Sequence, residues 1–195
     1  MWVVSLELSI EVTESLVLLQ EDLAQPFRLL GIDAAMVPAD RLRLVLRCIR
    51  GGEEGALLPL REGLRAVASS CAPFALTTTG TTFLPNEDTG RLLAVGHTDG
   101  ADRASALARQ VGALTDRLGL PPAEAEWASW IQLARVRTPR ERALLAGVVR
   151  SYSETTFGVS QVTGLVLERH GLKRGRAARA TVERFAFDAR VPLPA

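Results

Sequence analysis

The sequence predicts an α+β fold with mostly antiparallel sheets. Two observations carry this reading. Segments with strict period-two alternation recur along the chain and fall largely in pairs. Single stretches with apolar residues at helical spacing separate those pairs. The element order reads β α β β α β β α β α β β.

Trp2 to Ile10 alternates apolar and polar residues and predicts a strand. Val12, Leu16, Leu19, Leu23 and Phe27 then recur at helical spacing, and Gly31 supplies a stop. Ala34 to Val37 predicts a short strand before Pro38. Arg41 to Arg50, RLRLVLRCIR, puts Leu42, Leu44, Leu46 and Cys48 on one face and Arg41, Arg43, Val45 and Arg47 on the other. Pro59 is suited to open a helix that runs to about Ser70. Phe74 to Leu84 and Arg91 to Thr98 follow as strands. Asp99 is the expected cap of a helix from Ala101 to Leu118, with Gly119 after it. Trp130 to Arg137 alternates again. Thr138, Pro139 and Glu141 form a capping-box start for a helix through Val149. Phe157 to Arg169 and Arg179 to Asp188 are predicted as long strands joined by a Gly- and Arg-rich turn. Residues 189–195 are expected to be a frayed tail.

The alternating strands around Arg43 and Trp130 each follow a strand and a helix and precede another helix. This echo predicts two similar lobes within a single domain over 1–195, and 195 residues suit that size. Nearly half of the residues are apolar, which is enough for a substantial core.

Composition excludes several function classes. A net charge of +1 gives no bulk attraction to nucleic acid or membrane. Lys173 is the only lysine, so the basic residues are nearly all arginines. Arginine forks suit phosphates, but GC-rich coding produces the same bias. Cys48 and Cys71 lack zinc or disulfide spacing, and reduced cysteines fit a cytoplasmic protein. The start has no basic n-region and reads as a strand, not as a signal peptide. No apolar run reaches the roughly 18 residues of a membrane span. No metal-ligand cluster, phosphate-binding glycine loop or nucleophile elbow is present in the sequence, so no cofactor and no metal are expected.

Four segments, in order, resemble one family. They are WVVSLELSI from Trp2, VPADRLRLVLRCIRG from Val37, TFLP from Thr82 followed by RLLAVG from Arg91, and EWASWIQLARVR from Glu126. A closing hairpin over Val159 to Phe187 completes the pattern. Together they resemble the RNA 2′,3′-cyclic phosphodiesterase (LigT-like, "2′-5′ RNA ligase") branch of the 2H phosphoesterases. The resemblance implies two pseudo-symmetric lobes, with flanking helices, around a central cleft, each lobe giving one motif strand. In that family each strand carries His-x-Thr or His-x-Ser. One imidazole acts as base, the other as acid, and the hydroxyls hold the phosphate.

Here the first motif reads Arg43-Leu44-Val45 and the second Trp130-Ile131-Gln132. Arginine stays protonated and cannot serve as a general base. Indole donates one N–H and accepts no proton. Valine cannot bond a phosphate oxygen, whereas Gln132 can. The pattern therefore implies no catalytic residues and a pseudoenzyme. The remaining histidines, His97 at a strand end and His170 in the final turn, lie off the motif strands.

An altered cleft still offers binding chemistry. Arg43 can grip a phosphate, Trp130 can stack on a base, and Gln132 can donate a hydrogen bond. Arg47 and Arg135, further along the two strands, are expected to share a face with Arg43 and Gln132 respectively. Against this, Arg43 can simply pair with a local carboxylate while Trp130 fills vacated space. The run Arg169, Lys173, Arg174 and Arg176 offers a possible nucleic-acid contact, or merely a solvated hairpin. Three function classes follow: a non-catalytic binder of an RNA end or nucleotide, a subunit that binds a protein partner through the retained fold, and a phosphodiesterase using displaced residues.

Overall fold

A computed structural model describes residues 1–50, 54–84, 86, 90–123, 130–137, 142–173 and 176–191. The side chains of residues 54, 142–144, 172–173 and 176–178 lie outside that description. The elements are β1 (Trp2–Leu6), α1 (Ile10–Leu29), β2 (Ala34–Met36), β3 (Leu44–Ile49), α2 (Glu54–Ser69), β4 (Phe74–Leu84), β5 (Leu92–His97), α3 (Ala101–Arg117), β6 (Ile131–Val136), α4 (Arg142–Arg150), β7 (Thr156–Val162), β8 (Gly164–Lys173) and β9 (Arg176–Ala186). A single 3-10 turn, Ala39–Arg41, precedes β3.

Among the described residues the strands form one antiparallel sheet in the order β7-β4-β5-β6-β3-β1-β8-β9, with β2 added beside β6. That order mirrors itself about the β6–β3 junction. The junction is the pair Leu44↔Ile131. On one side β3 pairs β1 and then β8; on the other β6 pairs β5 and then β4. The bulges match too. Ser5 pairs Val45 while Val4 pairs Arg47, so Leu46 is the extra residue in β3. Ala94 pairs Gln132 while Leu93 pairs Ala134, so Leu133 is the extra residue in β6.

The helices repeat the symmetry. Ser9 caps α1 by accepting from the Val12 N–H at 3.3 Å. Helices α1 and α3 both end in a Schellman turn. Ile32 N–H bonds Phe27 O at 2.8 Å and Leu120 N–H bonds Thr115 O at 2.9 Å. Gly31 and Gly119 supply the left-handed residue, at φ 65° and 66°. After each turn the chain crosses to the other lobe. Ala34–Met36 pairs β6, and Pro122 bridges Ile49 of β3.

The helices cover one face of the sheet. Helix α3 packs on β3, α1 on β7, α2 on β8 and β9, and α4 on β4. The core lies in that layer. Val12, Leu16, Leu19, Leu23 and Phe27 of α1 and Leu60 and Leu64 of α2 are buried there with Val4, Leu44 and Leu133. Each such side chain stabilises the fold by about 1.5–3 kcal/mol. The opposite face carries the motif positions.

Several local expectations are corrected. Helix α2 begins at Glu54, and Pro59 lies inside it. Only the Gly55 carbonyl loses a helical partner there, which packing on β8 and β9 offsets. Gly100, not Asp99, is the N-cap of α3; Asp99 instead accepts from Thr77 Oγ1 at 2.9 Å. The predicted strand Phe157–Arg169 is two strands on opposite sides of the sheet, β7 beside β4 and β8 beside β1. The Gly- and Arg-rich segment is largely paired strand, with the β8–β9 ladder reaching Lys173↔Arg176. The capping box at Thr138 to Glu141 lies outside the described residues. Asp188 to Val191 form a hydrogen-bonded turn at the start of the tail expected to fray, and the remainder lies outside the described residues.

Candidate ligand cleft at the β3–β6 junction

Leu44 and Ile131 point into the helix layer and are fully buried. Strand alternation therefore sends Arg43, Val45, Trp130 and Gln132 to the opposite face. The two altered motifs meet there, side by side. Arg43, Val45 and Trp130 are half-buried, and Gln132 is exposed.

Arg43 lies within a charged cluster. Its Nη1 donates to Glu7 Oε1 at 3.2 Å and lies 3.3 Å from Glu168 Oε1. Its Nη2 donates to the Asp40 carbonyl at 3.4 Å. The Nε is buried without a partner. Glu168 is fully buried on β8. Besides Arg43 it meets Arg179 Nε at 3.2 Å and His170 Nε2 at 3.0 Å. Arg179 also donates to the Asp40 carbonyl, which ties the loop before β3 to β9. Glu7 is shared with Arg184, whose Nη2 and Nε lie 3.0 and 3.2 Å from its two oxygens. The Arg184 hydrogen bond has the largest effect; burial opposes it, and the charge of Arg184 and the contacts of Arg43 add to it, so the Glu7 carboxyl is held below its ordinary pKa.

Trp130 has a different neighbour. A Cβ built on Gly96 of β5 would lie 2.8 Å from the indole Cζ3. The ring therefore occupies the space above Gly96. Ser5 and Ala94 pair the equivalent positions Val45 and Gln132, so two residues on, Glu7 and Gly96 are equivalents. Arg43 rests on Glu7, and Trp130 rests on Gly96.

The bulges decide which other arginines reach this face. Arg47 does not. The extra residue Leu46 turns it toward α3, where its Nη2 meets Asp116 Oδ1 at 2.6 Å and the side chain is 8% exposed. Its expected place beside Arg43 is thus corrected. Arg135 does share the face of Gln132. Three-residue spacing alone would oppose them, and the extra residue Leu133 restores the match. His170 lies on β8, not in a turn, and bonds the buried Glu168. His97 lies at the end of β5 on the helix side, and burial lowers its pKa. Arg169 is exposed on β8, opposite Trp2. Arg174, and the side chains of Lys173 and Arg176, lie outside the described residues.

Sequence reasoning missed Glu7, Glu168, Arg184 and Gly96, and it counted Arg179 with the basic hairpin and not with Glu168. Glu168, acidic in the apolar run GLVLER, was the one legible signal. The others act through strand register. Among the described residues no group of three or more His, Cys, Asp or Glu is placed to hold a metal. Among the described residues no helix is long and apolar enough to cross a membrane.

This sheet, curled between two related halves with the four helices of the described residues behind it, is the LigT-like 2H phosphoesterase fold. The chain is similar to TT0787 of Thermus thermophilus, with 26% identity over 95% of this chain and 97% of that one, at a TM-score of 0.75. It is similar to E. coli LigT complexed with 3′-AMP, with 18% identity over 95% and 97% at 0.69. It is also similar to Kluyveromyces marxianus Usb1, with 15% identity over 93% and 96% at 0.56. No protein-family model matches the sequence, and no curated protein sequence matches it.

Proposed function

We propose that this chain is a non-catalytic LigT-like protein that binds an RNA end or nucleotide in the cleft at the β3–β6 junction. One observation carries the reading: Arg43 and Trp130 occupy the two equivalent positions flanking Leu44↔Ile131, on the face opposite the described helices. A phosphodiesterase needs a base on one side of phosphorus and an acid on the other. Arg43 cannot release its proton and Trp130 has no basic nitrogen to take one up. What remains is recognition: Trp130 to stack on a base, Gln132 to donate, and Arg43 and Arg135 to attract phosphate. Solved structures of E. coli LigT hold 3′-AMP, ATP and NADP+. The ligand set proposed here is of that kind.

The test is calorimetric titration with 3′-AMP and with short RNA. Binding that Trp130→Ala and Gln132→Ala abolish supports the reading. Absence of binding by either probe overturns it.

A second reading has its own observation. Arg43 is already engaged by Glu7 and Glu168, as a structural residue would be. In that reading the fold serves a protein partner. Nucleic-acid contact by the β8–β9 hairpin is separable from both. Replacing Arg174 and Arg176 by alanine should flatten the salt dependence of RNA affinity, by about 0.7 per lost single-strand contact.

A further inference from the structure

The two carboxylates beside Arg43 differ in kind. Glu168 is fully buried in mid-strand, between Arg43 and Arg179. Glu7 follows the last residue of β1, and its side chain is 42% exposed. Its partner Arg184 is 62% exposed. We propose that Glu7 is an exchangeable occupant of an anion site, holding the place between Arg43 and Arg184 that a ligand phosphate takes. The inference rests on the binding reading above and adds a regulatory contact to it.

Three features support exchange. The first is recognition geometry. Arg184 meets both Glu7 oxygens through Nη2 and Nε, while Arg43 meets one from the other side. A phosphate with three oxygens suits the same forks. The second is charge. Arginines 43, 179 and 184 face glutamates 7 and 168, so these five side chains together carry one net positive charge. Turning Glu7 outward leaves two, which matches a phosphate dianion. The third is cost. An ion pair this exposed contributes little, so breaking it is a small loss. Glu168 cannot exchange in this way, because a buried carboxylate has nowhere to go without unpairing two arginines. The buried Arg43 Nε, without a partner, is a further donor at this position.

The experiment is calorimetric titration of the full chain at low salt with two probes, inorganic phosphate and 3′-AMP. Glu7→Gln should bind phosphate about fivefold more tightly than wild type. Adding Arg184→Ala should erase that gain. Thermal unfolding of each variant establishes that it is folded. If Glu7→Gln does not fold, Glu7→Asp replaces it: the shorter side chain lets go of Arg184, and the same direction is expected. A folded variant with unchanged phosphate affinity overturns the exchange. If wild type binds 3′-AMP through Trp130 in that case, only the exchange falls. If no form binds either probe, the binding reading falls with it.

Discussion

The indole of Trp130 lies over Gly96, so close that an added Cβ would meet Cζ3 at 2.8 Å. The glycine is needed here for space and not for backbone conformation. Gly96→Ala should therefore destabilise the fold by about 1–3 kcal/mol through overpacking. Trp130→Ala in the same chain should recover most of that loss. A double-mutant cycle by urea unfolding measures the coupling, and additive effects would remove Trp130 from contact with position 96.

Catalysis is predicted to be absent. The purified chain should not open 2′,3′-cyclic nucleotides or 2′,3′-cyclic-ended RNA above background. Each missing acid or base contributes about a hundred- to ten-thousandfold in such chemistry. Restoring one histidine, by Arg43→His or Trp130→His, should rescue little. Both together, with Val45→Thr and Gln132→Thr, should rescue more, because the matched bulges preserve the relation of the two strands. Wild-type turnover that survives Arg43→Ala and Trp130→Ala would place catalysis elsewhere, with His170 and its Glu168 partner first to be tested.

Arg47 separates stability from binding. It sits on the helix side, against Asp116 and above Gly112. Arg47→Ala should lower the urea midpoint and leave nucleotide affinity unchanged. Arg135→Ala should do the reverse. Loss of affinity in Arg47→Ala, with stability intact, would contradict the bulge assignment in β3.

Glu168 is the structural anchor of the cleft. Glu168→Ala leaves Arg43 and Arg179 facing each other in a mostly buried space, since their side chains are 12% and 18% exposed. The expected loss is about 3–5 kcal/mol. A change near zero in the chemical unfolding midpoint would show that water replaces the carboxylate readily.

Stability should fall with acidity in two stages. Burial lowers the pKa of His97 from its ordinary 6.5. Below pH 6.5 the unfolded chain binds a proton that the folded chain resists, so stability declines as pH falls from there to the folded value. Glu7 and Glu183 lie below the ordinary 4.5, held chiefly by hydrogen bonds from Arg184 and Arg61 respectively. Their contribution is present above pH 4.5 and is lost as pH falls through the folded values. Urea unfolding between pH 8 and pH 3 checks both stages. His97→Gln should remove the upper stage, and Glu7→Gln should reduce the lower.

The class of fold and the chemistry of the two motif positions were legible in the residues alone. Alternation in RLRLVLRCIR and WIQLARVR marked both strands and set Arg43 with Val45, and Trp130 with Gln132, on a common face. Residue identity alone shows that neither motif position can cycle a proton. The amphipathic stripe of α1 and its Gly31 stop were equally legible, because helix periodicity and capping are local. The rest depended on how distant strands came together. Thr163 is where the chain leaves β4 for β1, yet SQVTGLVL reads as one continuous strand, since either partner satisfies the same alternation. Bulges at Leu46 and Leu133 reversed the predicted face of Arg47 and kept that of Arg135, because a bulge belongs to a strand pair and not to one strand. The contacts of Arg43 with Glu7 and Glu168, and of Trp130 with Gly96, join residues from 34 to 125 positions apart. Such contacts depend on register between distant strands, and register is fixed by which faces are buried once the whole sheet has assembled.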